Sequence, residues 1–389
     1  MRIAMMTNNY KPFVGGVPVS VERLACALRD LGQEVTVFAP SYAGMEEEEG
    51  VVRYRTLVSG VCGGIVIPDR LDPVIEEEFC AGTFDVIHVH HPMLIGRTAL
   101  QLSGKYRVPL VFTWHTRYEQ YLHYLGLSAL RPAVPGYMRA FANQCDGVIA
   151  PAPGMETYLK ETGVRAPIRV LPTGLSKDSY RPDLREAARI RERFARGKRY
   201  LFVTVARLAK EKNLGFLLES LAIRKRGGQD DFAWMLVGEG PEREALLEKA
   251  KGLELGENVR FAGGVDNAEI KNYCAASDLF LFSSVTETQG IVSLEAMAAG
   301  LPVLAVSAAG TEDIVQNRKN GYLTGLSATE FADRLERMLT EGEMERLSAG
   351  ARATALAYRE DKIAAKALSC YRAAAAFRWE KEVLKSAYS

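Results

Sequence analysis

Two carboxylates, Glu287 and Glu295, stand eight positions apart in the run Thr286-Glu287-Thr288-Gln289-Gly290-Ile291-Val292-Ser293-Leu294-Glu295. An apolar strand over 278–283 precedes the run, and a helix reaching Gly300 follows it. In open α/β sheets ligands bind beyond the carboxyl ends of strands, where a helix N-terminus offers free backbone N–H groups and a positive dipole end to anions. Gly290 would let the backbone come close to a diphosphate. A capping box of Thr286 and Gln289 with a surface Glu295 explains only half of the segment. The surroundings of Glu295, Leu294-Glu295-Ala296-Met297-Ala298-Ala299, are apolar nearly all round, so its carboxylate is expected to be buried and to need partners. Adjacent hydroxyls of a sugar suit it, because a carboxylate accepts two hydrogen bonds at once.

A second cluster, Arg207-Leu208-Ala209-Lys210-Glu211-Lys212-Asn213, follows the strand predicted over 200–206. The dipole disfavours Lys212 at the start of a helix over 213–223 unless an anion lies beside it. An arginine and a lysine together suit a diphosphate whose charge grows as a bond to it breaks. Ordinary solvated charges at a helix start are the plainer alternative. The glycine turn Gly15-Gly16-Val17 after the first strand is not the G-x-G-x-x-G pattern, and no ribose-binding acid follows it, which speaks against a nicotinamide enzyme.

Four of the five histidines, His88, His90, His91 and His115, lie at predicted strand ends or just after them. The alternation in His88-Val89-His90 is taken to send the two rings to opposite faces, favouring core or cleft histidines over a metal chelate. His115 closes the strand predicted over 110–115, at the mouth of a sheet.

Positioning these residues requires two α/β domains. Short runs rich in Val, Ile and Phe alternate with helical patterns, the rhythm of parallel sheets. Strands are predicted over 2–7, 34–39, 85–90, 110–115, 147–151 and 168–172, then over 200–206, 232–237, 259–262, 278–283 and 302–306. Prolines and glycine between Leu171 and Pro182 mark a linker, which puts one domain at 1–175 and the other at 176–371. After Gly321 the pattern reads as helical, and a last helix over about 372–389 is expected to cross back to the first domain. A chain of 389 residues fits two cores with a cleft.

With 48% hydrophobic and 25% charged residues the composition is that of a globular protein. Six scattered cysteines, with no C-x-x-C pair, and a start lacking a signal or spanning segment lead to the expectation of a cytoplasmic location. A net charge of +1 argues against nucleic acid as a partner. Between Arg97 and Cys145, however, six basic residues face one acid, Glu119, a local excess of five.

Taken together, these residues resemble the retaining glycosyltransferases of family four, whose E-x7-E motif is matched by Glu287 and Glu295. Gly15-Gly16, the Arg207 and Lys212 pair, Val237-Gly238-Glu239-Gly240-Pro241, Val259-Arg260-Phe261-Ala262-Gly263-Gly264-Val265 and Ala298-Ala299-Gly300-Leu301-Pro302-Val303 also match, so the resemblance covers nearly the whole chain. It implies the GT-B fold, with two Rossmann-like domains facing across a cleft. Glu295 would hold the ribose hydroxyls. Glu287 and the backbone of Gln289, Gly290 and Ile291 would hold the transferred sugar, while Arg207 and Lys212 neutralise the diphosphate without a metal or other cofactor. Gly264 and Val265 would face the base, and Gly16, beside Gly15, would approach the β-phosphate as the cleft closes. His115 matches a histidine that contacts donor sugar and acceptor.

Within the family, His90-His91-Pro92 and the stretch from Thr113 to Tyr124 look like the diacylglycerol glucosyltransferases, which use UDP-glucose. Tyr118 and Tyr121 are the expected acceptor-side residues, and the basic excess with its tyrosines would meet an anionic membrane surface. The alternatives are a GDP-mannose-dependent mannosyltransferase, a sugar-nucleotide 2-epimerase, and a non-catalytic sugar-nucleotide binder. A glycogen-type phosphorylase would need a pyridoxal lysine for which no motif is present.

Overall fold

A computed structural model of the chain describes all residues except 14, 62–64, 118–131, 341 and 388–389. The expected acceptor-side residues Tyr118 and Tyr121 lie outside the described residues. Two compact units result, one made of Met1–Gly174 with Glu360–Ser389 and the other of Leu175–Arg359.

The first unit carries β1 (Arg2–Met6), β2 (Glu34–Pro40), β3 (Val51–Tyr54), a separate hairpin of β4 (Thr56–Val61) and β5 (Ile65–Pro68), then β6 (Val86–Val89), β7 (Leu110–Thr113), β8 (Gly147–Ala150) and β9 (Ile168–Val170). The hairpin aside, they form one sheet in the order β3-β2-β1-β6-β7-β8-β9. Every strand pair in that sheet is parallel. Alternate residues face opposite ways, as strand geometry requires. Ala4, Met6, Ile87, Val89, Leu110 and Phe112 join the core beneath the helices Pro73–Gly82, Ile95–Tyr106, Val134–Ala142 and Pro153–Glu161. Ile3, Met5, Val35, Val37, Val86 and Val111 meet the helix Gly16–Asp30 and the last helix, Glu360–Ala387.

That last helix joins the first unit from Glu360 onward rather than from about residue 372. Ile363, Ala364, Ala367, Leu368, Tyr371 and Ala374 follow helical spacing and form one buried stripe in this core, so the helix packs on the first sheet from its first turns.

The second unit is built in the same way from β10 (Tyr200–Val205), β11 (Phe232–Val237), β12 (Val259–Gly263), β13 (Leu279–Phe282), β14 (Val303–Val306) and β15 (Gly321–Thr324). The order is β12-β11-β10-β13-β14-β15, all parallel. The strand β15 corrects the helical reading after Gly321, since four residues pair with β14 as an edge strand before the helices resume. Two buried layers cover the sheet's faces, one including Leu294 and Met297, the other Phe216 and Leu335. Among the described residues, no helix is long and apolar enough to cross a membrane.

Candidate active site

In the second unit the strand order reverses between β10 and β13, and ligands of doubly wound sheets bind at the carboxyl ends of strands at such a switch point. Both chemistry-bearing clusters follow these two strands. After β10, residues Lys210–Lys212 form a single 3-10 turn, Asn213 takes a left-handed φ of 52°, and the helix Leu214–Arg226 begins. Helix formation thus starts after Asn213, and Lys212 lies on the turn before it.

Two serines at the end of β13 hold this turn. The Ser283 hydroxyl is within 2.9 Å of the Lys212 carbonyl and 3.0 Å of the Asn213 carbonyl, and the Ser284 hydroxyl donates to the Glu211 carbonyl at 3.3 Å. On the other side, the Leu208 N–H donates to the Glu239 carbonyl at 3.0 Å, and the Glu242 N–H to the Leu208 carbonyl at 2.9 Å. The Gly238-Glu239-Gly240 segment therefore braces the Arg207 loop. Arg207 itself is exposed.

From this braced turn Lys212 reaches across to the other cluster, where its Nζ lies 2.5 Å from Glu287 Oε1. Both side chains are largely buried, with 22% and 18% exposed. The run after Glu287 is held from below by Gly310, which has φ of 78°. A side chain there would put its Cβ 2.6 Å from the Glu287 carbonyl oxygen and 2.9 Å from the Gln289 nitrogen.

Gly290, with φ of 69°, caps the helix Ile291–Ala298, and no side chain caps that helix. The capping box of Thr286 and Gln289 is thus not formed, because the helix starts later than that reading requires. The hydroxyls of Thr286, Ser293 and Thr311 are buried and have no hydrogen-bond partner among the described residues. Glu295 is 7% exposed, and burial, together with the Glu295 carboxylate, pushes the neighbouring Cys274 thiol up. Gly264 and Val265 follow β12, where Gly264 is exposed and Val265 packs against the core beneath the same sheet.

The first unit has its own switch point, between β1 and β6. Gly15 and Gly16 open the helix Gly16–Asp30 after β1, with Gly15 in extended conformation at φ −178°. A Cβ at Gly16 would meet nothing within 4 Å, so the fold places no demand for glycine there. The Asn8 N–H donates to His91 Nδ1 at 3.1 Å, and the Asn8 side chain bonds the Met93 carbonyl and the Ile95 N–H. His91 thereby ties together the two loops at this switch point.

His88 and His90 correct the expectation of opposite faces. Residues two apart on a strand share a face, and the two ring centroids lie 4.2 Å apart. His88 is fixed by Thr113 Oγ1 at 2.6 Å and by the Tyr371 hydroxyl at 2.8 Å. His90 Nδ1 lies 2.9 Å from Nε2 of His115, just past the end of β7. Burial holds His88 and His91 down to about 3 and His115 to about 4, so these rings are neutral at ordinary pH.

Of the basic stretch, Lys105 pairs with Glu76 at 2.5 Å, and the Arg117 guanidinium lies over the Tyr158 ring at 4.4 Å. Arg97, Arg107 and Arg139 are exposed. Two consecutive serines, Ser283 and Ser284, and the buried Thr311 are site features outside the motifs, while Thr286 and Ser293 stand within the run from Thr286 to Glu295 without a role assigned to their hydroxyls at a ligand. Ser283 and Ser284 stand straight after an apolar strand and Thr311 beside Gly310, which is the only sequence signal these three carry.

Comparison with known proteins matches residues 14–179 to the family described as Glycosyltransferase Family 4 and residues 186–354 to the family described as Glycosyl transferases group 1. The chain is 28% identical to an alpha-monoglucosyldiacylglycerol synthase of Streptococcus pneumoniae, over 83% of this chain and 75% of that one. It is also 28% identical to a GDP-mannose-dependent alpha-(1-6)-phosphatidylinositol monomannoside mannosyltransferase of Mycobacterium tuberculosis, over 94% of this chain and 96% of that one. Among solved structures, Anabaena Alr3699/HepE in complex with UDP superposes with a TM-score of 0.76 at 21% identity, covering 95% of this chain and 99% of that one.

Proposed function

The chain belongs to the family 4 glycosyltransferases of GT-B fold, and on that premise we propose that it transfers glucose from UDP-glucose to diacylglycerol, with retention at the anomeric carbon. One observation carries this reading. Lys212 and Glu287, far apart in sequence, meet at 2.5 Å beyond the strands that flank the switch point. A cation suited to a diphosphate then stands beside a carboxylate suited to sugar hydroxyls. In the reaction the bond from the anomeric carbon to the phosphate oxygen breaks, and the acceptor oxygen bonds to that carbon on the same face. The acceptor proton passes to the leaving phosphate, and UDP departs.

Arg207 and Lys212 supply the positive charge that stabilises the departing diphosphate, so the proposal needs no metal or other cofactor. Glu295 takes the ribose hydroxyls. The partnerless hydroxyls of Thr286, Ser293 and Thr311 are further groups a bound donor would satisfy. At Gly16, where the fold leaves room for a side chain, a phosphate can approach the first turn of the helix.

A lipid acceptor is supported by the names of both relatives, one a glucosyldiacylglycerol synthase and the other acting on a phosphatidylinositol mannoside. The donor is less narrowly supported. The mycobacterial relative is equally identical over more of the chain, which makes mannose from GDP-mannose the second reading. We assign the enzyme a peripheral position on the cytoplasmic membrane face, where such a lipid is within reach. A donor panel that measures release of nucleoside diphosphate, with and without diacylglycerol in mixed micelles, separates the readings. Glucolipid from UDP-glucose is the expected result. Turnover of GDP-mannose alone would replace glucose by mannose, and transfer only to water-soluble acceptors would remove the lipid.

A further inference from the structure

His115 meets its neighbours through a layered arrangement of imidazoles. Its Nε2 lies 2.9 Å from His90 Nδ1, and the two rings stack with centroids 5.2 Å apart and planes 25° from parallel. Behind His90, the His88 ring lies with its centroid 4.2 Å away and its plane tilted by 38°, and it is itself bonded on both nitrogens, to Thr113 and Tyr371. The remaining His90 nitrogen, Nε2, is buried and has no partner among the described residues.

That last fact decides which ring donates. Two neutral imidazoles share one hydrogen between facing nitrogens, and each ring carries one N–H. If His115 were the donor, the only hydrogen of His90 would sit on the partnerless, buried Nε2. A buried N–H without an acceptor is rarer and more costly than a buried acceptor left unused. We infer that His90 is a positioning residue, which donates from Nδ1 to Nε2 of His115 and so fixes the His115 hydrogen on Nδ1. His115 then faces its surroundings as a hydrogen-bond donor rather than as a base. Resting on the proposed function, this makes it a donor to a hydroxyl of the donor sugar or acceptor. It also agrees with a mechanism in which the leaving phosphate, not a histidine, takes the acceptor proton.

The test reads the tautomer directly. In protein labelled with ¹⁵N at histidine, two-bond proton–nitrogen spectra distinguish a protonated from an unprotonated ring nitrogen, with the His115 signal identified by its loss in His115→Gln. The parent should show His115 protonated on Nδ1. A hydrogen on Nε2 would overturn the inference, whatever the substrate, so this arm stands apart from the proposed reaction. His90→Phe should release the tautomer and lower kcat about 10–100-fold, the usual effect of losing an orienting partner, with little change in nucleotide affinity. His90→Asn keeps an N–H near the same place and should restore most of both effects. Equal loss in the two variants, with the His115 tautomer unchanged in each, would leave His90 a packing residue and refute the positioning role.

Discussion

Nζ of Lys212 and Oε1 of Glu287 lie 2.5 Å apart, the Lys212 turn being held from the end of the neighbouring strand by Ser283 and Ser284. The charge of Lys212 is thereby oriented before any donor arrives. Such preorganisation lets a cation act on charge that grows in the transition state without first being reordered. Replacing Lys212 with Ala should lower kcat by about 10²–10³ and weaken donor binding much less. An unchanged kcat in the folded variant would take Lys212 out of the site.

Glu295 should behave differently. The ribose it is proposed to hold is bound alike in ground and transition states, and uniform binding appears in KM rather than in kcat. Glu295→Ala should therefore raise KM for the donor, and Glu295→Gln should do so less. Titration of the nucleoside diphosphate against both variants checks this, and affinity equal to the parent's removes the ribose assignment.

Gly16 offers a test in which stability and activity separate. Since a Cβ there meets nothing within 4 Å, Gly16→Ala should leave the melting temperature unchanged or slightly raised. If a phosphate approaches that turn, the same methyl should weaken the donor. Unaltered donor KM in a protein of parental stability would show that no ligand comes close.

How much of this was legible in the sequence depends on the kind of interaction. Lys212 and Glu287, which meet in the structure, were legible because charged residues beside apolar strands call for partners, and the burial of Glu295 followed from its apolar neighbours, whereas Arg207 is exposed; the two parallel sheets followed from the rhythm of apolar runs. Ser283 and Ser284 did not, since a hydroxyl bound to a carbonyl some seventy residues away leaves no local pattern. The four residues of β15 were too few to show periodicity against the helices after them. The histidines differ again, because residues two apart on a strand share a face: His88 and His90 lie side by side, and His90 also meets His115, which follows a neighbouring strand.

Burial of the histidines predicts the acid limb of stability. His88 has an ordinary value of 6.5 and about 3 in the folded chain, so between these values the unfolded chain binds a proton that the folded one refuses. Stability is thus retained above pH 6.5 and lost as pH falls toward 3, by up to about 1.4 kcal/mol per pH unit for each such ring. His88→Gln should flatten the fall of melting temperature between pH 6.5 and 4, and an unchanged slope would mean that His88 is not excluded from protonation. With His115 at about 4, kcat should show no histidine titration between pH 5 and 8.

Contact with an anionic membrane is the prediction most altered by the structure. The basic stretch from Arg97 to Arg139 carries a local excess of five charges, which at about 1 kcal/mol each would set a ceiling of about 5 kcal/mol. Lys105 spends its charge on Glu76, and Arg117 lies over Tyr158. Arg131 and Glu119 lie outside the described residues, and the exposed Arg97, Arg107 and Arg139 together account for about 3 kcal/mol of that ceiling, if all three face the surface. Attraction of that size is screened within about 8 Å at physiological ionic strength, so it should depend strongly on salt. Co-sedimentation with anionic vesicles is expected at low salt and should largely disappear at high salt. The triple change of Arg97, Arg107 and Arg139 to Gln should abolish it at low salt while leaving transfer to diacylglycerol in detergent micelles intact. Should the parent fail to pellet with anionic vesicles at low salt, this face does not engage the membrane, and the lipid acceptor would have to be reached by another route.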